Sequence, residues 1–142
     1  MITVLIAMGF AVGTYGRQAG TQDTLPAKIT EDFSSKFANA SAIEWNIADS
    51  LYTGTFTLDG ERHIIEYHPS GRIQMHRYAL KENQYPQMAL ETIKSDFNGY
   101  RIADFDYVER DNVVTYEAKL KGKPDYIVSF DTSGKFISKK ED

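Results

Sequence analysis

Cysteine is absent from this sequence. That excludes a disulfide scaffold, a thiolate zinc site, a thiol nucleophile and a lipid-modified cysteine. An excess of positive charge is missing too: 16 Lys and Arg stand against 20 Asp and Glu, for a formal net charge of −4. Nucleic acid is therefore not an expected partner, because binding it rests on clustered basic groups that displace counterions from phosphates. No apolar run reaches the roughly 20 residues that a membrane-spanning helix needs. Phosphate-cradling glycine loops and the nucleophile-elbow pattern are likewise missing. Proline is scarce, at 4 residues, and Trp45 is the lone tryptophan.

What is present belongs to an ordinary globular protein. The chain has 142 residues, 42% hydrophobic and 25% charged, which is one domain's worth with a core of its own. Aromatics reach 13%, a load that favours strands. The longest apolar run, Ile2 to Val12, is followed by small residues at Gly13 and Gly16 and by the polar stretch from Arg17 to Asp23. That order matches the core and exit of a secretory leader, expected over 1–19, with cleavage after Gly13 or Gly16. No Lys or Arg precedes the run, and a first buried strand or helix is the other reading of the same residues.

The strongest signal is self-similarity. The segment from Leu25-Pro26 to Phe37 aligns with that from Tyr85-Pro86 to Phe97, at an offset of 60. Glu44-Trp45 meets Asp104-Phe105, and Tyr67 to Ile73 meets Phe130 to Phe136. Two repeats follow, over 25–78 and 85–140, within a single domain 25–140. Each opens with a helix: Pro26 and Pro86 suit a first turn, and Thr24 stands near the first N-cap. Ile29, Phe33 and Phe37, like Ala89, Ile93 and Phe97, recur every four residues as one apolar stripe. Strands are expected at 42–47, 51–58, 62–68 and 72–78, then at 101–109, 113–121, 125–131 and 135–139. Asp59-Gly60 and Lys121-Gly122 read as tight hairpins.

Alternation assigns the faces. Ile43, Trp45, Tyr52, Phe56, Leu58, Ile65, Tyr67, Ile73 and Met75 are expected to face the first helix. Phe105, Tyr107, Val114, Tyr116, Ala118, Leu120, Val128, Phe130 and Phe136 are expected to face the second. The fold class is then α+β: two α-β-β-β-β repeats forming one antiparallel sheet, with the helices packed on one face and the other face wet.

The ordered set formed by the Leu25-Pro26 helix, Ile43-Glu44-Trp45, the Asp59-Gly60 hairpin and Ile65-Glu66-Tyr67-His68-Pro69-Ser70-Gly71 resembles the PepSY-like family. These are small secreted proteins of Bacteroidetes-type bacteria with a fold like the β-lactamase inhibitory protein. Where that family commonly reads Tyr-Pro-Asn-Ala after the first helix, this chain has Phe37-Ala38-Asn39-Ala40. The resemblance implies the fold and a periplasmic or extracellular location. It implies no catalytic residue.

Three functions compete. The first is a non-enzymatic binding protein that recognises a protein, peptide or envelope component through the open sheet face. Its expected binding residues are Glu66, Arg72, Gln74, His76, Tyr78, Glu117 and Lys119, with no cofactor, no metal and no membrane span in the mature chain. The second is a periplasmic small-ligand or metal-binding module using His68, His76 and nearby acids. The third is a hydrolase built on paired carboxylates such as Asp104 and Asp106. An open face does not separate two carboxyl pKa values as acid–base catalysis requires, and the histidines read more simply as solvated or turn residues. Asp23-Thr24-Leu25 and Asp49-Ser50-Leu51 resemble short O-glycosylation sites, and Asn39-Ala40-Ser41 is an N-glycosylation pattern of meaning only in a eukaryotic secretory path.

Overall fold

A computed structural model describes residues 2–6, 13–14 and 24–142. The leader expected over 1–19 therefore lies outside the described residues apart from 2–6 and 13–14. The chain is α+β, with antiparallel strands and, among the described residues, two α-helices, and it divides into two compact units, one running to His76 and one from Arg77 to Asp142.

In the first unit, α1 (Ala27–Lys36) is followed by β3 (Ser41–Ala48), β4 (Leu51–Leu58), β5 (Glu61–Tyr67) and the start of β6 (Ile73–Ala79). Two short strands precede the helix, β1 (Ile2–Ile6) and β2 (Gly13–Thr14). The strand order is β6-β5-β4-β3-β1-β2. The connections follow from local chemistry. Asp49 and Ser50 both take positive φ, as do Asp59 and Gly60, which is what a two-residue hairpin whose twist matches its strands demands. The apolar stripe of α1 buries Ile29 and Phe33 against Ile43, Trp45, Ile47, Phe56, Ile65 and Tyr67, with Phe37, Tyr52, Leu58 and Ile73 packed around them. Trp45 is fully buried, as its inward register predicts, and its ring closes over Gly54: a Cβ there would sit 2.9 Å from the indole.

In the second unit, α2 (Gln87–Asp96) precedes β7 (Arg101–Arg110), β8 (Val113–Lys121), β9 (Tyr126–Phe130) and β10 (Phe136–Glu141). Their order is β10-β9-β8-β7. Ala89, Ile93 and Phe97 pack on Phe105, Ala118, Leu120, Val128 and Phe130.

Four expectations need correction. Neither helix has a side-chain N-cap; Pro26 and Pro86 themselves occupy the cap positions, and the Pro26 carbonyl accepts from Ile29 and Thr30. Lys121-Gly122 is not a tight hairpin: Lys123-Pro124, joined by a cis peptide, lengthens the loop, and Asp125 closes it by accepting from Gly122 N–H. Phe136 is 42% exposed, because β10 is a marginal strand with one neighbour. Val108 is buried although it shares the parity of Asp106, so the face turned away from α2 is not uniformly wet.

Candidate functional site

The side chains of β7, β8 and β9 alternate between two environments. Phe105, Ala118 and Val128 stand in register and belong to the core beneath α2. The intervening row of Asp106, Glu117 and Ser129 therefore points the other way, as does the row of Asp104, Lys119 and Ile127. Arg77, at the end of β6, reaches over these rows. Its Nε and Nη2 donate to Oδ2 of Asp106 at 2.8 and 2.7 Å, and its Nη1 donates to Oε1 of Glu117 at 3.2 Å. Lys119 Nζ lies 2.6 Å from Oδ2 of Asp142. Arg77, Asp104, Asp106, Glu117, Lys119 and Ile127 line a concavity of about 210 Å³.

Burial pushes the Asp106 carboxyl above its usual value; Arg77 opposes that shift, and Asp104 and Glu117 add to it. The Lys119 ammonium is held above its usual value by its bond to Asp142. One rigid guanidinium fork thus fixes two carboxylates, and an aliphatic side chain sits beside them. This arrangement presents oriented charge to a visiting polar group at little further entropic cost.

Of the residues expected on the open face, Glu117 and Lys119 lie in this cluster. Glu66, Arg72 and Gln74 belong to the first unit: Glu66 pairs with Thr53 and is half-buried, Gln74 is half-buried, and Arg72 is exposed at the turn before β6. His76 and Tyr78 point the other way from the expectation. His76 is 9% exposed, its ring 5.2 Å from Phe37 at the end of α1. Tyr78 stacks on Tyr107 at 4.7 Å, and Tyr107 meets Tyr116, which packs on the second core. His76 therefore faces the core of the first unit and Tyr78 that of the second, while Arg77 turns to the side of Asp106 and Glu117. Apolar alternation places Met75 inward, yet Met75 and His76 are successive residues and both are buried. A polar ring won the inward place because it finds a polar partner there.

That partner is His63, whose Nδ1 lies 3.0 Å from Nε2 of His76. His63 shares the parity of Ile65 and Tyr67 on β5, so its inward position was legible; its pairing with a residue thirteen positions later was not. His68 is a turn histidine, as expected, its Nδ1 accepting from Ser70 N–H at 3.1 Å. His68 and His76 are thus not assembled into one site, and among the described residues no group of three or more His, Cys, Asp or Glu could hold a metal ion.

No known family model matches this chain, and no curated protein matches it. Solved structures do. A BLIP-like protein from Bacteroides fragilis superposes with a TM-score of 0.74 at 18% identity, over 84% of this chain and 88% of that one. The fold is BLIP-like. A DUF2874 family protein from Bacteroides uniformis gives 0.71 at 13% identity over 82% and 88% of the two chains. A protein named as a candidate periplasmic protein, from Bacteroides eggerthii, gives 0.71 at 13% over 84% and 90%. In the second unit α2 packs on one face of β7, β8 and β9, and the Arg77 cluster lies on the other. Among the described residues no helix is long and apolar enough to cross a membrane.

Proposed function

We propose that this chain is an exported, non-enzymatic recognition protein, made of two PepSY-like repeats over 25–78 and 85–140 and released from a leader over 1–19. It binds a protein, peptide or envelope component through the uncovered strand face of the second unit. The observation that carries this reading is the Arg77 fork on Asp106 and Glu117, flanked by Asp104, Lys119 and Ile127 around a concavity of about 210 Å³. Recognition surfaces combine fixed hydrogen-bonding groups with apolar area in this way, whereas reaction centres sit in enclosed, water-poor clefts. The apolar-then-polar order of the first residues and the company of a candidate periplasmic protein among the fold's relatives support export.

The test is capture of a partner from an envelope extract by the chain and by the double variant Asp104→Lys, Lys119→Glu. Asp104 is exposed and the Lys119–Asp142 ion pair is partly open to solvent, so the melting temperature is expected to fall only slightly. Affinity for the captured partner is expected to fall at least tenfold, about 1.4 kcal/mol. Retention of the partner by this variant, together with loss on charge reversal at Glu91 and Lys94 of α2, would move the binding face to the helix side. Mass spectrometry of the native exported protein reads the leader separately: the expected start is Thr14 or Arg17, and an intact Met1 refutes cleavage.

A further inference from the structure

A strand at the margin of a sheet exposes a row of N–H and C=O groups, and folded proteins block such margins with charge, bulges or a covering segment. β10 is blocked by the first two devices: it carries Lys139, Lys140 and Glu141, and its register shifts between Phe136 and Ser138. The middle of β3 is less protected, since its register shift between Ser41 and Glu44 lies on the β4 side. Ile43-Glu44-Trp45-Asn46-Ile47 holds one charge and pairs without interruption on the side away from β4. Its cover is a piece of the chain itself. Ile2, Thr3, Val4, Leu5 and Ile6 of β1 lie antiparallel along it, opposite Ile47, Asn46, Trp45, Glu44 and Ile43. The same five residues lie inside the leader expected to be removed.

We propose that β3 is a strand-docking edge. β1 covers it while the leader is attached, and an extended partner strand takes that place afterwards. The register defines the partner's chemistry: an antiparallel segment with β-branched aliphatic residues at alternate positions, opposite Ile43, Trp45 and Ile47, and a hydrogen-bond donor opposite Asn46. The Asn46 requirement has its own support, because its Oδ1 is buried without a hydrogen-bond partner among the described residues. Main-chain bonds supply affinity in this mode of recognition, and the alternate side chains supply selectivity. The proposal takes its biological setting from the leader reading, but the pairing itself can be tested without export.

The test uses the full chain and its Val4→Pro variant, with hydrogen exchange at the β3 amides as readout. Proline removes a donor from β1 and disfavours its pairing with β3 while leaving residues 24–142 untouched. The probe is a synthetic peptide of residues 2–7, Ile-Thr-Val-Leu-Ile-Ala; the control peptide carries proline in place of its valine. The expected result is faster exchange over residues 43–47 in the variant, restored by the probe and not by the control. The probe is expected to bind the variant at least tenfold more tightly than it binds the full chain. Unchanged exchange in the variant, or peptide binding that leaves residues 43–47 unprotected, overturns the proposal. A variant that dimerises with β3 protected and ignores the peptide assigns the edge to a second copy, which also overturns it. An uncleaved exported protein would remove the leader reading and leave this result standing.

Discussion

Nδ1 of His63 and Nε2 of His76 lie 3.0 Å apart inside the first core, their rings stacked with centroids 5.2 Å apart and backed by Phe56 and Phe37. A hydrogen bond at this distance needs one nitrogen to donate and the other to accept, so the pair is held in complementary neutral tautomers. Burial lowers the pKa of both rings. It takes His76 to about 4, with His63 adding to the effect, whereas a hydrogen bond to the Leu58 backbone, then Asp59 and Glu61 at the β4–β5 turn, partly offset the shift at His63.

The pair therefore makes stability fall on acidification. Both folded-state values lie below the unfolded value of about 6.5, so between the two the unfolded chain binds more protons, and stability rises with pH. The contribution is fully present above about pH 6.5 and disappears as pH falls toward the folded value of about 4 at His76. A shift of this size corresponds to about 3 kcal/mol. Urea midpoints between pH 7.5 and 4.5 are expected to drop accordingly, and His76→Phe, which keeps a ring among Phe37 and Phe56, is expected to flatten the drop. An equally steep pH dependence in that variant would place the acid sensitivity elsewhere.

Removing the Tyr67 hydroxyl tests the tie between α1 and β5. Tyr67 is fully buried and its OH donates to Oδ2 of Asp32 at 2.6 Å, while Asp32 also pairs with Lys36 at 3.0 Å. Burial, with Asp32 adding, pushes the phenol far above its ordinary range, so it stays protonated wherever the protein is folded. Tyr67→Phe is expected to cost about 1.5–3 kcal/mol, the range for a hydrogen bond to a charged group. A loss under roughly 0.5 kcal/mol would mean that water replaces the bond freely.

Gly54→Ala is expected to destabilise by about 1–3 kcal/mol through overpacking. The added methyl meets the Trp45 ring at 2.9 Å, and that ring is fully buried against Phe33 and Tyr67. Tryptophan fluorescence is expected to shift with it. A neutral substitution would show that the indole has room to move.

Arg77→Ala is expected to raise the Asp106 pKa further, because burial already raises it and Arg77 is the group that opposes the shift. Side-chain carboxyl titration by NMR reads this directly. A fall in the Asp106 pKa on losing Arg77 would refute the assignment of the fork.

Phe33→Ala and Phe37→Ala separate full from partial burial on one helix stripe. Phe33 is 2% exposed and meets both Trp45 and Phe56 edge-on, so its loss is expected to cost about 3–5 kcal/mol. Phe37 closes the helix half-buried, so its loss is expected to cost clearly less. Equal costs would mean that the end of α1 is as tightly packed as its middle.

Periodicity and turn chemistry in the sequence alone were enough to determine the order of the helices and strands after residue 24. Ile29, Phe33 and Ile93 mark the buried stripes of the helices, Asp59-Gly60 can turn a hairpin in one way, and the aromatic alternation in β4, β5, β7 and β8 assigns those faces, since each signal is local and each residue's preference agrees with its neighbours'. Long-range choices were not legible. On β6, composition alone favours turning Ile73 and Met75 inward and His76 and Tyr78 outward; Ile73 does pack against the first core, but His76 and Tyr78 turn inward as well. The inward side of β6 was decided by partners distant in sequence: His63 and Phe56 accept His76, and Tyr107 accepts Tyr78. The same turn of the strand placed Arg77 over Asp106 and Glu117 and so made the candidate site. A polar side chain is costly to bury only when it lacks a partner, and whether it has one is a property of the tertiary structure.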